Sequence, residues 1–274
     1  MKKRNSALVV FLTLFFLGIL SSTEAQVTDS LSLRKISNSD TQINSNTSLK
    51  LKVPDNTFRI KPYIIPSVMV LYGITSLGNN SLKNVNKELR DEIYAESPHN
   101  KIHADNYLQF APAVSVYLLN AAGVKGKHNL RDRTMLYVMS NIFLNGMVSP
   151  LKKITHQLRP DSSKYNAFPS GHTAEAFASA EFLRMEYKDV SPWYGVAGYA
   201  MAIATGYLRM YNNKHWFSDV VAGAGMGIIS TKLAYWLYPK IQHKLFKDKP
   251  VHTMVMPYYQ NGVGGISFVY SFKK

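Results

Sequence analysis

The chain of 274 residues contains no cysteine. A disulfide framework, a thiolate zinc site, an iron–sulfur cluster and a cysteine nucleophile are therefore excluded. Compartment stays open, because a disulfide-free protein can live anywhere. Acidic residues are also scarce: 17 Asp+Glu stand against 32 Lys+Arg, a formal net charge of +15. A surplus of that size points to a polyanion, an anionic membrane surface or a phosphorylated substrate. Only 18% of residues are charged and 46% are hydrophobic, which excludes a disordered chain and permits a real core. The mean hydropathy of −0.12 is low for a chain with many membrane spans.

Part of the charge belongs to an address. Lys2, Lys3 and Arg4 precede an uncharged apolar run, Ala7 to Leu20, followed by Ser21-Ser22-Thr23-Glu24-Ala25-Gln26. This basic, apolar, small-residue order predicts a signal peptide over 1–25, cleaved after Ala25. The apolar run is short for a spanning helix, although an uncleaved anchor is the alternative. Removal of 1–25 takes away three basic groups and Glu24, so most of the surplus stays. An exported chain is not expected to meet nucleic acid.

Residues 26–60 are rich in Ser, Asn, Thr and Asp without a clear period, and read as a flexible polar lead-in. Six apolar segments follow, at about 63–77, 108–124, 134–151, 172–186, 192–210 and 218–237. They are rich in Ala, Leu, Met, Gly and Tyr and too long for ordinary strands, so helices are expected. The charged stretch 83–105 leaves room for a further short helix. Three uncharged stretches, 106–124, 134–151 and 190–208, approach spanning length. Small residues recur at Ala174, Ala176, Ala178 and Ala180 and again at Ala222, Gly223, Gly225 and Gly227, which permits close helix packing in membranes or in soluble bundles. The tail changes character. Asn261-Gly262 is a hairpin signal, and Ile266 to Phe272 is β-prone, so 246–274 should hold a β-hairpin with strands at 251–259 and 266–272. The fold class expected is all-α with this terminal hairpin, the helical domain spanning 61–245.

Three clusters near helix ends could carry chemistry. Lys152 and Arg159 are seven apart, so on a continuing helix they would share a face. Pro160 disfavours helix at Arg159, where the chain should leave the bundle. A lysine point charge and an arginine fork both suit phosphate oxygens. Ser170-Gly171-His172 opens the fourth helix. Ser170 is a good N-cap, Gly171 allows close backbone approach, and free N–H groups there favour an anion. His172 sits beside them, placed to give a proton to an oxygen leaving that anion. Arg209, His215 and Asp219 form the third cluster. His215 and Asp219 are four apart and could hydrogen-bond on one helix face, which would fix the imidazole tautomer. Lys153, His156 and Lys214 read as solvated or secondary. Each cluster alone also fits a bland role: solvated charges at a helix end, a capped helix with an incidental histidine, a surface His–Asp pair.

Together they read K-x6-R-P, P-S-G-H and R-x5-H-x3-D in order. This resembles the type 2 phosphatidic acid phosphatase superfamily, which includes bacterial class A acid phosphatases and vanadium haloperoxidases. The resemblance covers roughly 63–240. It departs at Leu208, where the family's third motif usually has serine before Arg209. It implies a six-helix core bundle, His215 as nucleophile, Asp219 holding its ring, and His172 as the acid for the leaving oxygen. Lys152, Arg159 and Arg209 would clamp phosphate, helped by the Ser170 hydroxyl and the Gly171 N–H. No metal or other cofactor is implied for that chemistry.

The expected protein is thus a metal-independent phosphatase of the cell envelope, hydrolysing a phosphate monoester or pyrophosphate of a lipid, or another phosphate ester, through a phosphohistidine intermediate beside an anionic membrane surface. A site facing the periplasm is expected. Six spans starting outside would put the loop after the third helix inside, against the positive charges of 124–133 and 239–249, so no span count is expected. Two readings from other classes stay open: a vanadate-dependent haloperoxidase and a non-catalytic envelope binding protein.

Overall fold

The computed structural model describes residues 59–96, 99–245, 253–260 and 263–270. The expected signal peptide over 1–25 and almost all of the expected lead-in lie outside the described residues. The chain divides into two compact units, Met1–Ala234 and Tyr235–Lys274.

The first unit is helical. Its elements are α1 (Lys61–Gly78), α2 (Asn80–Arg90), a π-helical turn (Asp91–Ala95), α3 (Asp105–Leu108), α4 (Ala111–Ala121), α5 (Leu130–Thr155), α6 (Gly171–Tyr187) and α7 (Pro192–Tyr211), with α8 (Phe217–Leu245) running on into the second unit. Each apolar segment of the sequence coincides with a helix. The charged stretch 83–105 holds most of α2 and the π turn, and α3 begins at its last residue.

Local chemistry sets the boundaries. Asn79 caps α2 by accepting from Leu82 N, and Asn129 caps α5 by accepting from Asp132 N at 2.9 Å. Ser191 accepts from Trp193 N, and Pro192 opens α7. Lys152 and Lys153 stand in the last turn of α5, where the helix dipole favours cations. That helix ends at Thr155, and His156 turns left-handed at φ 42°. It therefore stops four residues before Arg159, and Lys152 and Arg159 do not share a helix face.

Helix α6 is the centre of the unit. Thirteen of its seventeen residues are buried. Ala174 and Ala178 pack with Leu144, Val148 and Met226, while Ala176, Phe177 and Ala180 pack with Ala202 and Ala224. Helix α8 approaches α6 through glycine. A Cβ at Gly223 would lie 2.6 Å from the Ser170 carbonyl oxygen, and one at Gly227 would overlap the Ala174 carbonyl. The small-residue pattern thus brings backbone onto backbone at the start of α6, where the site lies.

A buried ionic cluster ties α6, α7 and α8. Glu181 is fully buried and meets Arg184 at 2.6 Å, Lys232 at 2.9 Å and the Tyr199 hydroxyl at 2.5 Å. Two cations and a hydroxyl donor around one carboxylate satisfy it fully, as a buried charge requires.

Helix α4 has 11 residues, too few to cross a hydrocarbon layer of about 30 Å. Helix α5 is longer but carries Arg131, Asp132 and Arg133 in its first turn. Among the described residues one segment, Phe217–Gln242, is long and apolar enough to cross a membrane.

In the second unit β1 (Thr253–Gln260) and β2 (Val263–Tyr270) pair antiparallel, from Thr253 with Tyr270 to Gln260 with Val263. Strand β2 begins three residues before the expected Ile266. The pairing continues to Gln260 with Val263, and Asn261-Gly262 lie outside the described residues.

Candidate active site

The site is built where the C-terminus of α5, the N-terminus of α6, the C-terminus of α7 and the N-terminus of α8 converge. The loop 156–170 and the short loop 212–216 join them. Ser170 is fully buried, and its backbone N–H donates to the Asp219 carbonyl at 3.0 Å, joining the first turns of α6 and α8. Lys214 pairs with Asp161 at 2.6 Å, and the Trp216 indole donates to the Leu158 carbonyl at 2.9 Å. These bonds lock the two loops together. Lys214 is therefore a bracing group rather than a solvated charge.

His215 lies two residues before α8, in the loop, and is 3% exposed. Its Nδ1 sits 2.7 Å from the Ala167 carbonyl oxygen. A carbonyl only accepts, so Nδ1 carries the proton and Nε2 presents a lone pair. The Asp219 carboxylate is 3.6 Å from the same Nδ1, beyond a good hydrogen bond. The expected His215–Asp219 hydrogen bond on one helix face is not the arrangement found. Asp219 instead caps the helix, its Oδ2 accepting from Trp216 N at 2.9 Å, and acts on His215 through space. Burial, then the Arg209, Lys152 and Arg159 charges, hold His215 well below the ordinary histidine range, against the Ala167 hydrogen bond. Its imidazole is neutral at neutral pH. Burial pushes Asp219 up to about 7, while the Trp216 N–H and the Lys152 and Arg159 charges favour its carboxylate.

Three cations surround this histidine. Lys152 Nζ donates to the Asn166 carbonyl at 3.0 Å and the Pro169 carbonyl at 2.6 Å. Burial lowers it to about 8, with Asp219 opposing and Arg159 and Arg209 adding to the drop. Arg159 is likewise lowered, by burial first and by Arg209 next. The groups are thus near enough to repel one another, although Lys152 and Arg159 reach the site from a helix and from a loop. Arg209 is anchored from α3, its Nη1 donating to the fully buried Asp105 at 2.5 Å. Among the described residues, Arg159 Nε and Arg209 Nε are buried N–H groups that meet no protein acceptor. They remain available to an anion's oxygens, as a phosphate clamp requires.

Ser170 caps α6 through Thr173, with 2.9 Å between the two hydroxyls. At Gly171 an added Cβ would meet only Lys152 Cε, at 3.7 Å. The position is open towards that lysine. His172 is half-buried, and its Nε2 lies 3.0 Å from Asn106 Oδ1. Burial, followed by Arg209, Lys152 and Arg159, lowers His172 to about 4, with Asp105 opposing.

The arrangement offers a neutral nucleophilic imidazole, three cations, a helix N-terminus and a second histidine. That combination can hold a tetrahedral oxyanion and exchange protons with it. Among the described residues no group of three or more His, Cys, Asp or Glu is placed to hold a metal. Asp105, Asn106, Asp161 and the Ala167 carbonyl were not singled out from sequence. The first two come from a segment with no motif, and the last is a backbone atom.

The PAP2 superfamily signature matches residues 133–243. A lipid A 1-phosphatase of Porphyromonas gingivalis is 37% identical over 182 residues, 65% of this chain and 40% of that protein. A lipid A 4'-phosphatase of Bacteroides thetaiotaomicron is 33% identical over 84 residues, 31% of this chain and 36% of that protein. The chain thus spans well under half the length of these relatives. Among solved structures, a transmembrane PAP2-type phosphatidylglycerolphosphate phosphatase of Bacillus subtilis aligns with 70% of this chain and 100% of its own, at a TM-score of 0.44 and 16% identity.

Proposed function

We propose that the chain, which matches the PAP2 superfamily over residues 133–243, is a metal-independent lipid phosphatase of the cell envelope with a six-helix core. The observation that carries the proposal is the neutral His215, its Nε2 lone pair free, set among Lys152, Arg159 and Arg209. The lipid A phosphatases support a phosphorylated lipid as substrate. The remaining surplus of basic charge suits an anionic lipid surface. The signal peptide expected from the sequence supports a location outside the cytoplasm, and we assign the site to the periplasmic side.

The chemistry follows from the parts. The three cations and the α6 N-terminus hold the phosphoryl oxygens and spread their charge. His215 Nε2 forms an N–P bond as the bond to the leaving oxygen breaks. His172 gives its proton to that oxygen, which departs as an alcohol. The phosphohistidine, positive on its ring, is stabilised by the Asp219 carboxylate. Water then attacks phosphorus, passes a proton to His172, and inorganic phosphate leaves with His215 restored. Asp105 keeps the Arg209 guanidinium in place throughout.

The test is phosphate release from a panel of lipid phosphates and from an aryl phosphate, with wild type beside His215→Ala. Release by wild type and its loss in the variant is the expected result. Equal turnover by both would remove the mechanism. No release from any substrate would remove the enzyme reading in favour of a binding role. Peroxide-dependent halide oxidation after vanadate loading would assign the pocket to haloperoxidase chemistry.

A further inference from the structure

The segment before α4 enters the site from outside the three motifs. It is pinned along its length. His99 stacks on the Tyr211 ring at 3.5 Å between centroids, and its Nε2 lies 2.8 Å from the Tyr211 carbonyl. Asn212 then brackets Ile102, accepting from its N–H at 2.9 Å and donating to its carbonyl at 2.7 Å. Asp105 is buried against Arg209. Gln109 Nε2 donates to the Asn106 carbonyl at 2.8 Å. Asn106 itself is exposed, yet its backbone stands one residue from a buried ion pair. Its side chain reaches His172 at 3.0 Å.

An exposed hydrogen bond between mobile groups competes poorly with water. Here the acceptor is carried on a fixed backbone, so little ordering entropy remains to be lost. We propose that Asn106 is a positioning residue for His172, holding the Nε2 edge of the ring and setting its orientation and proton affinity. The inference rests on reading His172 as the acid. Asn106 Oδ1 accepts, so Nε2 is the protonated nitrogen of the neutral ring. Nδ1 is then the nitrogen that gains a proton and delivers it to the leaving oxygen. After departure the same Nδ1 takes the proton of the attacking water. The bond also favours the imidazolium, since a charged donor makes the stronger hydrogen bond.

The charges facing His172 are Arg209 on α7, Lys152 on α5, Arg159 in the 156–170 loop and Asp105 on α3. On its own helix, Glu175 is engaged by Tyr137 at 2.6 Å. Asn106 is the neutral member of the group, so its charge can be changed without removing a phosphate ligand.

The test uses Asn106→Leu and Asn106→Asp in the full chain. Asn106→Leu should lower kcat on a short-chain phosphatidate by about 10-fold or more, a fraction of what a placed acid supplies, with KM changed less than about twofold. The loss on p-nitrophenyl phosphate should be markedly smaller, because a nitrophenolate leaves without a proton. Asn106→Asp should move the alkaline limb of kcat upward by about 1–2 pH units. Equal losses on both substrates with an unmoved limb would overturn the proposal. His172 is also titrated by NMR in wild type and Asn106→Asp. An unmoved His172 overturns the proposal whether or not the protein turns over, whereas a moved His172 in a protein that releases no phosphate keeps it and removes the phosphatase reading instead.

Discussion

Anion binding should itself charge the acid. In the free protein His172 is lowered to about 4, by burial and then by Arg209, Lys152 and Arg159. An acid of that strength is almost wholly deprotonated at neutral pH and could not protonate an alkoxide. The same three cations that depress it are the ones a phosphate would neutralise. One negative charge about 5 Å away, at an effective dielectric of about 20, interacts by about 3 kcal/mol, or about 2.4 pH units. A dianion would double that. His172 is only half-buried, so solvent screening takes back a large part, and a net rise of about 2 pH units is the working figure.

Sulfate is the probe of choice, since it stays a dianion across the range and is not hydrolysed. The His172 imidazole is followed by NMR with and without saturating sulfate, its signal assigned through His172→Asn. A rise of about 2 pH units is expected. The linkage sign is fixed by that direction. A group whose proton affinity rises on binding takes up a proton, so sulfate should bind more weakly as pH climbs through the bound-state titration. A His172 titration that moves by less than about half a pH unit would refute the reasoning, because the cations would then not be what the anion neutralises.

Other outcomes follow from the same structure. His215→Ala should lower phosphate release by more than about 10³-fold, measured against a circular dichroism spectrum that stays helical. Gly227→Ala would press a methyl group onto the Ala174 carbonyl and should destabilise by about 1–3 kcal/mol, read from denaturant unfolding. Glu181→Gln leaves Arg184 and Lys232 buried without their carboxylate and should cost about 3–5 kcal/mol in the same assay. Both site histidines are depressed in the folded chain, so below their ordinary range the unfolded chain binds more protons. Asp219, raised to about 7, takes up a proton in the folded chain over the same range and offsets part of this, so the fall in Tm from pH 7 to 5 should be read in Asp219→Asn and be reversed by sulfate; no fall in that variant would contradict the depressed values.

The helices were legible because the apolar segments are rich in Ala and Leu and too long for ordinary strands, and Ser170 marks a cap. The charged and imidazole members of the proposed site were legible as a spaced set. Their local geometry was not. Lys152 and Arg159 looked like one helix face, yet α5 stops at Thr155, with His156 in a left-handed turn. His215 and Asp219 looked like an i,i+4 helical pair, yet the helix begins at Phe217 and Asp219 spends one oxygen on Trp216 N. The orienting partner of His215 is a carbonyl of Ala167, which no side-chain pattern can announce. Asp105 and Asn106 reach Arg209 and His172 across sequence separations of 104 and 66 residues. Such pairs are set by how α3 docks on α6 and α7, not by any local spacing.

A proton taken up on anion binding can go to Lys152 or His215, which are also depressed, but the chemistry turns on whether His172 or Asp219 takes it. Asp219 is already pushed up to about 7 by its burial, so a nearby anion would raise it further. Were Asp219 to take the proton, no carboxylate would be left to stabilise a positive phosphohistidine, and binding would work against the chemistry. His172 is half-exposed and flanked by Asp105 and Asn106, both of which favour its imidazolium. Several groups of the site can take up protons together, so total proton uptake cannot assign the site. Calorimetry in buffers of different ionisation enthalpy gives the total, and the NMR titration gives the His172 share. Uptake equal to the His172 share keeps Asp219 ionised, as stabilising a positive phosphohistidine demands. Uptake without a His172 response would place the proton elsewhere in the site and leave the leaving oxygen without its acid.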